Sequence, residues 1–363
     1  MKKHFLAPLV LALLAAPLFL RAQVPSTRPT SAAATTTAAT YTNPVAENLP
    51  DPYVLRHDGV YYAYGTNAPS EGYRVLSSPD LVHWTDRGFA YKKTEQSFGK
   101  RHFWAPSVIE HKGKLYLFFS SHGPLGNGNE SHRICVAVAD SPLGPFKDLK
   151  SPLLDIGKAT IDAHPFVDTD GRAYLYYALD ISENGKSELY VVPLSEDLTQ
   201  VTGKPVFCTR PDGDWEGTEW NEAPYVFKWQ DTYILMYSAR GFFDPLYALG
   251  FATAKSPLGP WTKSPDNPIL RKTERVSGPG HNSVIASPDG KELFCAYHTH
   301  KKLEGGHERD LCIDRMVINK DERGEVHIKI LGPTRDPQPM PSSGAPSDVA
   351  ANARQAPNDP DSR

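Results

Sequence analysis

Between residues 51 and 297 the hydrophobic positions fall in short paired runs, each pair divided by a tight polar turn, with no sustained helical spacing. Asp51-Pro52 leads into an apolar run that turns at Gly59 and returns as an aromatic run ending at Tyr64. Ala105-Pro106 opens a second copy, turning at Gly113 and returning to Phe119. A third copy starts at His164-Pro165 and turns at Gly171, a fourth starts at Ala223-Pro224 and turns at Gln230-Asp231, and a fifth starts at His281-Asn282 and turns at Gly290. Counted from Pro52 through Pro106, Pro165 and Pro224 to Asn282, the copies are spaced by 54, 59, 59 and 58 residues. A third run with small residues follows, as in residues 133–139 and 247–253. The closing turns also repeat: residues 141–146 and 256–261 differ only in ending on Phe146 or Trp261.

Four short strands per copy, repeated five times, predict an all-β chain folded as a five-bladed β-propeller. A sandwich need not repeat, and a β-helix repeats at shorter intervals. In a propeller the first strand of every blade lines the central channel. The residues just ahead of those strands then converge at one mouth: Asp51, Ala105, Asp162 to His164, Glu222 and His281.

That convergence brings three carboxyl groups together. Glu222 closes an acidic stretch, residues 214–222, that also holds Trp215 and Trp220. A carboxyl group beside aromatic rings at the head of a buried strand has its pKa raised by desolvation. Two carboxyl groups flanking a glycosidic bond suffice to hydrolyse it, one as acid and the other as base or nucleophile. Asp51 and Glu222 belong to blades one and four, and a wide gap between them favours inversion through a water molecule. Asp162, one blade from Glu222, would raise the pKa of that acid by like-charge repulsion. Singly, each has a plain structural reading: Asp51-Pro52 as an ordinary turn, Asp162 as a cap beside Thr160, and Glu222 as one of several acids with Glu216 and Glu219. Their matching places in three repeats favour the chemical one.

The same residues resemble glycoside hydrolase family 43, over nearly all of residues 41–334. The motifs are Leu49-Pro50-Asp51-Pro52, Phe103-Trp104-Ala105-Pro106, the run from Ile161 to Asp168, Asn221-Glu222-Ala223-Pro224 and the run from Gly278 to Ser283. The resemblance implies an inverting mechanism with Asp51 as general base, Glu222 as general acid and Asp162 as the group that tunes and orients the acid. It makes Trp104 an aromatic wall of the sugar subsite and adds Phe103 and His164 to the substrate-binding set. It matches Arg315 to an arginine that contacts a substrate hydroxyl, with Arg309 close by. It matches His281 to a histidine near the channel centre that often binds a calcium ion or a water. No cofactor is implied for the chemistry itself. Two departures, Ala163 after the blade-three aspartate and Ala223 after the acid, bear on substrate preference and leave the carboxylates in place.

The implied activity is an α-L-arabinofuranosidase acting on arabinan, arabinoxylan, xylan or derived oligosaccharides, with β-xylosidase and endo-arabinanase as alternatives. A retaining fructan hydrolase would carry Arg-Asp-Pro mid-chain and Glu-Cys at the acid, where this chain has Ile161-Asp162-Ala163 and Glu222-Ala223. A sugar-binding propeller without catalysis predicts a missing carboxylate, and all three are present.

Composition narrows the rest. A net charge of −3 gives no basic surface for nucleic acid. Residues 1–22 read as a secretory signal peptide, with a basic start, a short apolar run and a small-residue cleavage site, so the mature chain is expected to be periplasmic or extracellular and to have no membrane span. Residues 23–40 read as an Ala/Thr/Ser/Pro-rich linker, residues 41–334 as the catalytic propeller and residues 335–363 as a disordered tail. Cys135, Cys208, Cys295 and Cys312 show no CxxC spacing; buried free thiols are expected, with a Cys295–Cys312 bridge as the alternative. His298 and His300, with His307 nearby, read as a polar rim sooner than a metal site. No Gly-rich phosphate loop or Gly-x-Ser-x-Gly elbow is present.

Overall fold

The computed structural model describes residues 39–344. Five separate four-stranded antiparallel meanders succeed one another along the chain. Their inner strands are Tyr53–His57, Arg101–His111, Thr160–Val167, Asn221–Trp229 and Gly280–Ala286. Each inner strand touches the next in cyclic order, and the fifth touches the first. This is the five-bladed propeller that the repeat predicts.

The repeated closing turns have a structural reason. Tyr64, on the second strand of blade one, donates its hydroxyl to the Pro142 carbonyl (2.6 Å), inside the turn of blade two. Tyr176, on blade three, does the same to Pro257 in the turn of blade four (2.6 Å). A buried tyrosine needs an acceptor for its hydroxyl, and these turns present one at the blade interface. The small residues of the third strands also serve packing. At Gly250 a Cβ atom would lie 2.5 Å from the Trp215 indole, so the ring packs directly on backbone.

The ring closes between blades five and one. Val45 donates to the Leu311 carbonyl (2.8 Å) and Leu311 to that of Ala46 (2.8 Å), laying the N-terminal segment along the third strand of blade five. Thr40–Tyr41 pairs with Gln338–Pro339. Between the inner strands, Ser283 Oγ donates to the Pro52 carbonyl and accepts from the Val54 amide, both at 3.1 Å.

The predicted tail boundary needs correction. Residues 335–344 are held against blade five: Arg315 Nη2 donates to the carbonyls of Pro339 and Met340 (3.0 Å each), and Ser342 binds Glu292 and Asp289. Their low content of large apolar side chains concealed this, because the attachment is made by hydrogen bonds. The predicted signal peptide, most of the linker and residues 345–363 lie outside the described residues. No helix among the described residues is long and apolar enough to cross a membrane.

All four cysteines are buried and free. Cys312 sits opposite Tyr297 and Cys295 opposite Asp314, so the two are out of register for a bridge. A thiol reagent should therefore find four groups in denaturant without reductant and essentially none in the native protein. A denatured count short by one pair would restore the disulfide.

Candidate active site

In or just ahead of each inner strand a left-handed, non-glycine residue stands at the mouth: Asp51, Ala105, Asp162, Ala223 and His281, with φ between 45° and 57°, and blade two has a second, His102. In blades two to five a shift of strand register brackets this rim residue. Such backbone costs on the order of 1–3 kcal/mol per residue and persists only where its surroundings compensate. The compensation is visible in the rim amides, which donate to side chains of the preceding blade. Ala105 donates to Thr66 Oγ1 (2.9 Å), Asp162 to Ser120 Oγ (2.9 Å), His281 to Ser238 Oγ (2.8 Å) and Asp51 to His298 Nδ1 (3.1 Å).

Ser120, Ser238 and His298 occupy one register position, opposite Trp104, Glu222 and Gly280. In blade three that position is Ala178, opposite Ile161, and it has no acceptor. The Ala223 amide donates instead to Asp162 Oδ2 (2.9 Å). The same register corrects the repeat. Blade three aligns at Asp162-Ala163, two residues before the His164-Pro165 pair that the proline spacing selected. Glu222 stands one residue ahead of its rim residue, inside the strand, at the level of Trp104.

Asp51 is buried beside cations. Its Oδ1 accepts from Arg309 Nη1 (2.5 Å) and lies 3.3 Å from His281 Nδ1 and 3.4 Å from His298 Nδ1. Burial pushes its carboxyl up, but Arg309 and then His281 outweigh that and hold it well below the usual carboxylate range. Burial, followed by the Arg309 charge, pulls His298 down to about 3, so its neutral Nδ1 is free to accept the Asp51 amide. His281 moves the other way: burial opposes its charge, but Asp51 and the other two carboxylates raise its pKa.

Among the described residues Glu222 has no cation in contact. Its Oε2 accepts from Trp220 Nε1 (2.6 Å) and its Oε1 from the Tyr247 hydroxyl (2.7 Å). Burial, and after it the Asp162 charge, pushes its carboxyl up to about 8. Asp162 is itself raised, chiefly by burial. One mouth therefore holds a carboxyl group kept ionised and another kept protonated.

The other candidates divide. Trp104 is half-buried at the mouth, stacked on His132 at 4.3 Å between ring centroids. Phe103 is not at a substrate surface: it is fully buried against Tyr73, Tyr91 and Phe119, because its side chain points to the opposite face of the strand from Trp104. His164 is sealed in the channel wall, its Nε2 3.0 Å from the Val226 carbonyl, with no exposed face for a sugar. Arg315 is misplaced as a substrate contact. It binds Glu292 and the C-terminal segment, six residues down its strand from Arg309, about 20 Å away. Arg309 is the arginine of the site. Both lie on one strand at equal parity, and only register separates them: Arg309 faces His300 and Arg315 faces Phe294. One signal was available, since third strands start at the mouth and Arg309 opens its strand.

Two further sets resolve plainly. Glu216 is structural, accepting from Asp212, Gly213, Asn221 and Tyr237 and paired with Lys263. His298 and His300 are buried, the latter bonded to Ser277 Oγ (3.0 Å) and the Phe242 carbonyl (2.6 Å), so they form neither a rim nor a metal pair. Calcium suits His281 poorly. The imidazole offers nitrogen where calcium takes oxygen, and the charge of Asp51 is already answered by Arg309.

The family model "Glycosyl hydrolases family 43" matches residues 41–323. A β-D-galactofuranosidase of Aspergillus niger is 32% identical, over 81% of this chain and 86% of its own. An extracellular exo-α-(1→5)-L-arabinofuranosidase of Streptomyces avermitilis is 27% identical, over 74% of this chain and 58% of its own. The crystal structure of a thermostable family-43 glycoside hydrolase is 44% identical with a TM-score of 0.78, over 84% of this chain and all of that one.

Replacing the two arginines should separate their roles. Arg309→Ala should lower kcat/KM about 100-fold or more and move the acidic limb of its pH profile upward, because Asp51 loses the charge that keeps it ionised. Arg315→Ala should leave kcat/KM near wild type and lower unfolding stability by about 1–3 kcal/mol. Urea melts and rate profiles of both variants check this, and the reverse pattern would return Arg315 to the site.

Proposed function

The chain belongs to glycosyl hydrolase family 43, and from that premise we propose that it is an inverting α-L-arabinofuranosidase releasing terminal sugars from arabinan, arabinoxylan or their oligosaccharides. The observation that carries the proposal is the opposed surroundings of Asp51 and Glu222 at one mouth, the first paired with Arg309 and the second given only the neutral donors Trp220 and Tyr247. Glu222, protonated at neutral pH, gives its proton to the leaving oxygen. Trp220 and Tyr247 then stabilise the carboxylate left behind, since both already donate to it. Asp51, held as an anion by Arg309, takes a proton from the water that attacks the anomeric carbon from the opposite side. Asp162 keeps the acid protonated by repulsion and ties the backbone beside it through the Ala223 amide. No step is routed through a metal ion.

The furanoside preference rests on the names of the two relatives, one acting on α-L-arabinofuranosyl and the other on β-D-galactofuranosyl groups. These rings share their stereochemistry and differ by one exocyclic carbon, a difference worth only about 1–3 kcal/mol in a pocket. The A. niger relative therefore favours β-D-galactofuranosidase as the second reading. Export to the periplasm or the medium is part of the proposal. Its support is the signal-like sequence of residues 1–22 and the extracellular name of the S. avermitilis relative.

Hydrolysis of p-nitrophenyl α-L-arabinofuranoside, β-D-galactofuranoside and β-D-xyloside, with linear arabinan and xylan, tests the substrate. Free arabinose from the first and from arabinan is expected, and faster galactose release overturns the sugar assignment. Proton NMR of the first-formed product should show the inverted anomer.

Glu222→Gln and Asp51→Asn should each reduce turnover by about 10²–10⁴ with the fold intact. The alkaline limb of kcat/KM should fall near pH 8, where Glu222 loses its proton. Asp162→Asn removes the repulsion, so that limb should move to lower pH. A limb that stays put or rises would reject the tuning role of Asp162.

A further inference from the structure

At the same mouth, between blades two and three, three histidines and two carboxylates meet. His102 lies near the start of the inner strand of blade two, and His122 and His132 face each other across its second and third strands. Asp180 caps the short helix Ile181–Asn184 of blade three, and Glu183 lies within it. His132 and Asp180 are each only 4% exposed.

The carboxylate oxygens divide their work. Asp180 Oδ1 accepts from the Ser182 amide (2.9 Å) and hydroxyl (2.7 Å). Glu183 Oε2 accepts from Ser131 Oγ (2.6 Å), and its Oε1 is only distantly engaged by the His132 amide (3.4 Å). Asp180 Oδ2 and His132 Nδ1 are left. They stand 2.7 Å apart, and Glu183 Oε1 lies 3.9 Å from the same nitrogen. Among the described residues Oδ2 and Nδ1 meet only each other, as an ion pair without an aligned hydrogen bond, and His132 Nε2 also lacks a hydrogen bond. A plain His–Asp hydrogen bond would aim the ring N–H at the oxygen. Here the two atoms are close but not aligned, the relation of two ligand atoms that point at a common third position. Nδ1 of His102 also lacks a hydrogen bond, and Nδ1 of His122 has only Glu130 Oε2 at 3.6 Å; their ring centroids lie 5.4 and 4.9 Å from that of His132. Buried imidazole nitrogens without partners are destabilising unless something answers them.

We propose that His132 Nδ1, Asp180 Oδ2 and Glu183 Oε1 form a binding site for a divalent transition cation of the zinc class. These atoms lie within 4.8 Å of one another. Around a tetrahedral ion with bonds of 2.0–2.1 Å, ligand atoms are about 3.4 Å apart. The distances of 2.7 and 3.9 Å bracket that value, so small side-chain rotations complete the site. Mixed nitrogen and carboxylate donors favour zinc, cobalt or manganese over calcium and magnesium, which take oxygen alone. Trp104 stacks on His132 and on His102, with centroids 4.3 and 4.9 Å away, and stands level with Glu222. An ion at His132 fixes the rings against which this wall of the mouth rests.

The test uses tag-free full-length protein stripped with chelator. Calorimetric titration with ZnCl2 should show one saturable equivalent, and CoCl2 should give the visible absorption of a low-coordinate ion. Zinc should also raise the melting temperature, whether or not any glycoside is cleaved. His132→Ala and Glu183→Gln should each weaken zinc binding about tenfold or more. Glu183 lies at the less buried edge, so its variant reports even where His132→Ala folds poorly. His327→Gln, in the exposed group with Asp321 and Glu325, should leave binding unchanged. Absence of saturable binding, or binding that survives Glu183→Gln and falls with His327→Gln, overturns the proposal.

Discussion

A carboxylate sealed from water remains an anion only if a cation is sealed in with it, and Asp51 with Arg309 is that pair. Much of the mouth follows from this. Arg309 must arrive from the third strand of blade five, so the ring has to close before the anion has its partner. Phe242 covers the guanidinium, 4.5 Å from its ring centroid, and keeps water from loosening the contact. Buried, and with Arg309 this near, His298 stays neutral and accepts the Asp51 amide. Glu222 is as deeply buried but is given only neutral donors, Trp220 and Tyr247. The contrast between the two carboxyl groups comes from where the fold places one positive charge.

The collar of left-handed rim residues is the second organising device. It turns one amide per blade out of the sheet and hands it to the preceding blade, so neighbouring blades are tied by hydrogen bonds at the level of the chemistry. The single gap in the series, at Ala178, is what leaves the Ala223 amide for Asp162. A missing hydroxyl thus gives the third carboxylate its anchor next to Glu222.

Period and residue type made the propeller legible in the sequence, along with the three carboxyl groups and the free thiols. Height within a strand was not legible. Arg309 and Arg315 share a strand and a parity; the strand start hinted at Arg309, but it took the pairing to show that one reaches the mouth while the other clamps the C-terminal segment. The proline of blade three misled the alignment by two residues, because the bulge is defined by register and φ and can do without a proline. Phe103 borrowed significance from its neighbour Trp104, although successive strand residues face opposite ways. Tyr247 carried no spacing signal, and Trp220 was legible as a ring near Glu222 but not as a donor to it. Their role appears only when the loops they end are seen against Glu222.

The ring has one seam, between the blade that begins it and the blade that ends it. Asp51 stands on one side of that seam; Arg309, His281 and His298 stand on the other. The base is assembled by the same closure that completes the molecule, while Asp162 and Glu222 are joined within the body of the ring. Catalytic competence is thus a strain gauge for the closing joint of the propeller. On warming, the seam can part enough to disarm the base while every blade keeps its strands, so activity decays ahead of the circular dichroism.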